Sequence, residues 1–220
     1  MASTELVKKS VYFSLAIQIL TTIIQISALF LVLPKRDEIL YDVLTLETMV
    51  QIIEVVFYSW LAYGLYKLKD VTSTRYYDWV LTTPTMLLST IIYFKYLENK
   101  QFTFTDFIKN NKNNILKIFG FNWLMLFFGY IGETNKLALS LSIPIGFIFF
   151  TLVFYTIYSN YVTTDSALYL FNLLFVIWSL YGFAAMLSTN AKNFMYNLLD
   201  IVSKNFYGLF IFWKILQKSV

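Results

Sequence analysis

The chain has 220 residues, 58% of them hydrophobic, with a mean hydropathy of +0.62 and a formal charge of +4. That is too apolar for an ordinary soluble domain, and the modest charge with no dense basic patch gives no nucleic-acid partner. The absence of cysteine and histidine removes disulfides, thiol chemistry and the side chain most used as metal ligand or neutral-pH base.

Seven apolar runs of membrane-spanning length follow one another, at about 12–33, 43–66, 75–96, 115–131, 137–161, 167–187 and 194–216. The connecting segments are short. The expectation is therefore an all-α polytopic membrane protein, one seven-helix domain over 1–220, with the lipid bilayer as its surroundings. The N-terminus lacks the pattern of a cleaved signal peptide, so the first run stays as a span. Lys35, Arg36, Lys100, Lys109, Lys112, Lys214 and Lys218 fall on one side. Lys8, Lys9, Lys67, Lys69, Lys136 and Lys192 fall on the other. This bias places the N-terminus outside and the C-terminus in the cytoplasm. Segment 34–42 is expected to form a short amphipathic turn at the membrane surface, and the polar stretch 99–114 a cytoplasmic linker.

Three of the runs carry polar stripes at helical spacing. The first has Ser14, Gln18, Thr21 and Gln25, and the second Glu47, Gln51, Glu54 and Tyr58. The seventh has Asn193, Asn197, Asp200 and Lys204, with Asn205 beside them. Each set lies on one helix face. The third run places Arg75, Asp78, Thr82 and Ser89 on one stripe of an otherwise apolar helix. Ionisable residues so placed face a cavity or another charge, not lipid.

Lys204 is the residue that most needs a reason. A lysine at bilayer depth costs roughly 2.5 kcal/mol or more on insertion scales, so it must be paired, hydrated or chemically modified. Asp200 lies four residues earlier, on the same face. Such a lysine can condense with an aldehyde to a Schiff base whose protonated form the carboxylate stabilises. The spacing points to a bound retinal, with Asp78 as a second carboxylate and Arg75 balancing the two.

The stretch Arg75-Tyr-Tyr-Asp78-Trp79-Val-Leu-Thr82-Thr83-Pro84, with Asp200 and Lys204, resembles the microbial (type 1) rhodopsins. Asn122-Trp-Leu-Met125-Leu-Phe-Phe-Gly129 and Trp178-Ser-Leu-Tyr181 fit the same resemblance, which spans all seven runs. It implies all-trans retinal covalently bound to Lys204, Asp78 as primary counterion and proton acceptor, and Asp200 as second counterion. It also implies a pocket of Trp79, Thr82, Thr83, Met125, Gly129, Trp178 and Tyr181, where Gly129 leaves room for the polyene. Gly182 replaces the proline that many members carry after the tyrosine. Ser89 stands where outward proton pumps usually have a carboxylate donor, and a hydroxyl cannot store a proton near neutral pH. No carboxylate pair occurs in 187–194 to release one.

Asp78, Thr82 and Ser89, with Glu54 and the seventh-run asparagines, resemble the algal-virus rhodopsins that act as light-gated cation channels. The resemblance implies an ion pathway along Ser14, Gln18, Gln51, Glu54, Asn193, Asn197 and Asn205. Glu54 has no obvious basic partner in the sequence, and amide oxygens can replace hydration water without trapping an ion. Thr83, Asn122 and Ser89 are the gating candidates. The expected function is a light-gated cation channel for ions such as Na+ and K+. The alternatives are a light-driven outward proton pump and a photosensor acting through a partner. No hydrolytic or redox constellation is visible, so enzyme activity is not expected. Association of identical subunits stays open.

Overall fold

A computed structural model describes residues 3–64, 71–98 and 100–219. Residues 66, 67, 69 and 99, which entered the expected second span, the charge bias and the linker, lie outside the described residues. The elements are helical throughout: α1 (Thr4–Ala28), α2 (Ile39–Gly64), α3 (Arg75–Tyr96), α4 (Phe104–Glu133), α5 (Leu139–Tyr161) and α6 (Asp165–Ala184). The seventh helix comprises α7 (Thr189–Asp200), a π-helical turn over Ile201–Asn205, and α8 (Phe206–Lys218). Successive helices alternate in direction, so the bundle has one face bearing the N-terminus and one bearing the C-terminus.

Caps explain where several helices begin. The Ser3, Thr103 and Thr164 hydroxyls accept hydrogen bonds from the amides of Leu6, Asp106 and Ala167. Helix α1 therefore starts at Thr4, earlier than hydropathy suggests, and stops at Ala28 before the expected boundary. The stretch read as a linker is mostly helix. Helix α4 starts at Phe104, and its polar first turns bury Phe107 and tie Asn111 to the Tyr161 hydroxyl at 3.1 Å. Hydropathy marks only the part of a helix that meets lipid. The expected turn in 34–42 is a short 3₁₀ segment, Lys35–Asp37, held by Tyr96 donating to Asp37 at 2.6 Å.

By length and composition, α1, α4, α5 and α6 are the four described helices apolar enough to cross a membrane. Helices α2 and α3 carry Glu47, Glu54, Arg75 and Asp78, all buried, and the seventh is divided by its π turn. Their charges face the bundle interior. Pro84 within α3 has no N–H to offer the Val80 carbonyl, which instead accepts the Trp123 indole N–H at 3.1 Å. The break in α3 thus becomes a tie to α4.

Candidate functional site

The π turn sets the position of Lys204. One wide turn, closed by the Phe206 amide on the Ile201 carbonyl, rotates the following residues relative to an α-helix. Lys204 is buried, and its Nζ lies among three carboxylates. Asp78 Oδ2 is at 3.0 Å and Asp200 Oδ1 at 3.2 Å, and the third ion pair is with Glu54. Glu54 is thus not without a basic partner. The pairing joins α2 to the seventh helix across 150 positions of sequence, a separation at which no spacing rule applies.

Arg75 was expected to balance both aspartates, but it reaches only one. Its guanidinium pairs with Asp200 Oδ2 at 3.3 Å and donates to Asn193 at 3.2 Å and to Asn197. Asp200 also accepts hydrogen bonds from the hydroxyls of Tyr58 at 2.7 Å and Tyr181 at 2.9 Å. Asp78 is less constrained, because its Oδ1 is buried without a hydrogen-bond partner. The two aspartates therefore differ in kind. Asp200 is fixed by two cations, Arg75 and Lys204, and two phenols, while Asp78 pairs with Lys204 through one oxygen and leaves the other without a partner.

A cavity extends from Lys204 between α3, α4, α5 and α6. Trp79, Thr83, Met125, Gly129, Trp178 and Tyr181 line it. Thr82 does not. Its hydroxyl is bonded to the carbonyl of Asp78 at 3.1 Å, and it is fully buried away from the cavity. Tyr76, Met86, Phe147, Tyr196 and Ser203 also line the space but were not singled out from sequence. Ser203 aside, they are aromatics and a methionine in a chain that is 20% aromatic, where one more such residue carries no distinguishing signal. Gly129 lines the cavity and also lets the Tyr76 ring approach α4 closely. A Cβ there would meet the Tyr76 hydroxyl at 2.6 Å. At Gly182 a Cβ would meet the Phe147 ring at 2.4 Å, and α6 continues helical through that residue to Ala184.

The stripes of α1, α2 and the seventh helix meet in one seam. Ser14 donates to the Asn197 carbonyl at 3.1 Å, and Asn197 donates to Ser10 at 2.7 Å. Gln18 donates to Glu54 at 3.4 Å. Asn205 donates to both Gln18 and Gln51, at 2.9 and 3.0 Å. Asn193 donates to Thr72 at 2.9 Å, and between α4 and α3 Asn122 donates to Thr83 at 2.8 Å. Ser89 is not the only group at the donor position. It hydrogen-bonds Glu47 of α2, so a neighbouring helix supplies a carboxylate that α3 lacks.

The cavity has a volume of about 120 Å³, well beyond the roughly 10–15 Å³ that one water needs. Flat aromatic walls suit a rod-like polyene, and the amine among carboxylates at its end suits condensation with an aldehyde. These residues fit retinal. A seven-helix bundle with such a lysine defines a retinal-binding membrane protein of the microbial rhodopsin type. The chain belongs to the bacteriorhodopsin-like protein family, whose family model matches residues 9–218.

Solved structures agree in fold. The viral rhodopsin OLPVRII is similar at 27% identity over 96% of this chain and 98% of that one, with a TM-score of 0.87. A blue light-absorbing proteorhodopsin from Med12 matches at 20% identity, covering 96% and 97% of the two chains, with a TM-score of 0.77. The proton-pumping rhodopsin AR2 from the marine alga Acetabularia acetabulum matches at 20% identity, covering 99% and 100%, with a TM-score of 0.75. Comparison with curated proteins gave no match.

Proposed function

We propose that the chain is a light-gated channel for monovalent cations such as Na+ and K+, with its N-terminus outside and its C-terminus in the cytoplasm. The observation that carries this reading is the seam of Ser14, Gln18, Gln51, Glu54, Asn193, Asn197 and Asn205 between α1, α2 and the seventh helix. So many buried polar groups are retained in a membrane bundle chiefly where they bond one another or line a polar route. Glu54 belongs both to this seam and to the Lys204 cluster, so a change of charge at the lysine is felt directly in the proposed path.

Bound on Lys204, retinal supplies light absorption and an isomerisation that moves the proton held at the lysine nitrogen. Asp78, whose Oδ2 lies 3.0 Å from the lysine nitrogen, takes that proton. Glu54 and Asp200 then lose the Lys204 cation, while Arg75, Tyr58 and Tyr181 retain Asp200. Glu54 turns toward Gln18 and Gln51, and the Arg75–Asn193–Asn197 contacts that close the seam toward the N-terminal face loosen. Asn122 and Thr83 couple the shift of α3 to α4.

The test is whole-cell recording with retinal under varied voltage and varied sodium, potassium and proton gradients. A photocurrent reversing at a voltage set by a cation gradient supports the channel, and Glu54→Gln should shift its size or ion preference. Unchanged currents in that variant would remove Glu54 from the path. The Glu47–Ser89 bond favours a second reading, an outward proton pump in which Glu47 resupplies the proton. A photocurrent that stays outward at every voltage would establish it.

A further inference from the structure

We infer that the Glu133–Lys192 ion pair is a latch that closes the N-terminal-face end of the retinal cavity and holds Asn193 against Arg75. Lys192 Nζ lies 2.8 and 3.1 Å from the two Glu133 oxygens. Both side chains are nearly buried, at 6% and 8% exposure. Each stands one turn beyond a residue lining the cavity: Glu133 follows Gly129 on α4, and Lys192 precedes Tyr196 on α7. The pair therefore sits on the end of the cavity farther from the C-terminal face. Beneath it are Tyr76, Trp79 and Tyr196, with ring centroids 5.1 Å apart for Tyr76 and Trp79 and 5.0 Å for Trp79 and Tyr196. Glu133 is within electrostatic range of both tyrosines.

Local structure fixes both partners. Helix α4 ends in a left-handed residue, Asn135 at φ 56°, and the Lys136 amide returns to the Ile131 carbonyl at 2.9 Å. This closure stops the helix just after Glu133. The Lys192 amide bonds the Ser188 carbonyl at 2.8 Å, in the opening turn of α7. A cation there opposes the helix dipole, so Lys192 stands where its own helix disfavours it and depends on Glu133. The next residue, Asn193, accepts from Arg75 and donates to Thr72. Anchoring Lys192 thus anchors the first turn of α7 onto the guanidinium that holds Asp200. Lys192 and Glu133 are positioning residues that act through Asn193 and the aromatic layer.

A buried pair can also be a plain structural staple, and two readouts separate the roles. One is the rate at which hydroxylamine bleaches the retinal-loaded protein in the dark, a measure of access to the lysine end of the cavity. The other is the thermal midpoint of the retinal-free protein, a measure of stapling alone. Glu133→Gln and Lys192→Met are expected to bleach about tenfold faster at an unchanged absorption maximum, the rate ratio for roughly 1.4 kcal/mol of lost closure. The exchanged pair, Glu133→Lys with Lys192→Glu, should restore the slow rate. Glu133→Asp, which keeps the charge on a shorter arm, should lie between if Glu133→Gln does not fold. Bleaching at the wild-type rate in the folded variants would overturn the latch, whatever their midpoints. So would fast bleaching in an exchanged pair with a restored midpoint. Neither result depends on whether the protein is a channel or a pump.

Discussion

Glu47 on α2 and Ser89 on α3 are joined by a buried hydrogen bond, and the second Glu47 oxygen, Oε2, has no partner. Ser89 lies 11 residues beyond Asp78 on α3, about 16 Å nearer the C-terminal face at 1.5 Å per residue. A carboxyl at that depth can hold a proton for the lysine nitrogen from the side opposite Asp78. Flash photolysis of Glu47→Gln tests this. Recovery of the visible absorption should slow by about a hundredfold, a typical value for losing a positioned acid, and added azide should partly rescue it. Recovery at the wild-type rate would reduce the Glu47–Ser89 bond to helix packing.

The two aspartates should behave differently on neutralisation. Asp200→Asn takes the carboxylate from Arg75, whose remaining partners are the neutral Tyr58, Asn193 and Asn197. Breaking a buried pair in this way costs about 3–5 kcal/mol. Asp78→Asn leaves Lys204 with Glu54 and Asp200, so its loss should be less than half as large. Both variants should absorb at longer wavelength, because each removes negative charge from beside the lysine nitrogen. Denaturation of the two variants, followed by loss of the visible band, gives the comparison. Equal stabilities would contradict the separate roles drawn from their partners.

Much of this site was readable from residue spacing, because helical periodicity puts i, i+3, i+4 and i+7 on one face. Lys204 with Asp200, the α3 stripe and the three seam stripes all follow that rule, and Ser14 meets Asn197 while Asn205 meets Gln18 and Gln51. Pairings between helices were not readable. Spacing alone offers Glu54 no cation, although Lys204 lies against it, and offers Ser89 no carboxylate, although Glu47 reaches it from α2. Glu133 lies 59 positions from Lys192, so their pairing leaves no spacing signature in the sequence. The π turn has no sequence signature, since its residues differ little from those of an ordinary helix. Hydropathy misplaces helix ends where polar residues continue a helix beyond the lipid, as in α4 from Phe104 to Asn114.

The Asn122–Thr83 bond lends itself to a double-mutant cycle. Thr83 also donates to the Trp79 carbonyl at 2.7 Å, and Asn122 Oδ1 is buried without a partner. The single variants Thr83→Val and Asn122→Leu should each destabilise by about 1 kcal/mol, the net value of such a bond. The double variant should cost less than their sum. If the pair couples α3 to α4 during gating, all three variants should also slow photocurrent decay to a similar degree. Strictly additive effects on decay would leave Asn122 as a packing residue.

Glu98 gives a prediction outside the membrane-spanning segments. It follows α3 and accepts from Lys95 at 2.8 Å and from Thr163 at 3.2 Å, with Lys100 Nζ at 3.4 Å. Partial burial alone would raise its carboxyl pKa, but the Lys95 hydrogen bond and charge, with the Thr163 and Lys100 bonds, outweigh that and hold it below the ordinary 4.5. A carboxyl with a depressed folded-state pKa contributes stability above its unfolded-state value and loses it as pH falls through the folded one. Glu98→Gln should therefore lower the thermal midpoint at pH 7 by an amount equivalent to at most about 1 kcal/mol, given how water screens such a pair. The gap between variant and wild type should stay constant from neutral pH down to the carboxylate range, then close as the solution is acidified below 4.5. Midpoints measured across that range check both statements. A gap that persists at low pH would mean that the α3 end is held by packing and not by the Glu98 charge.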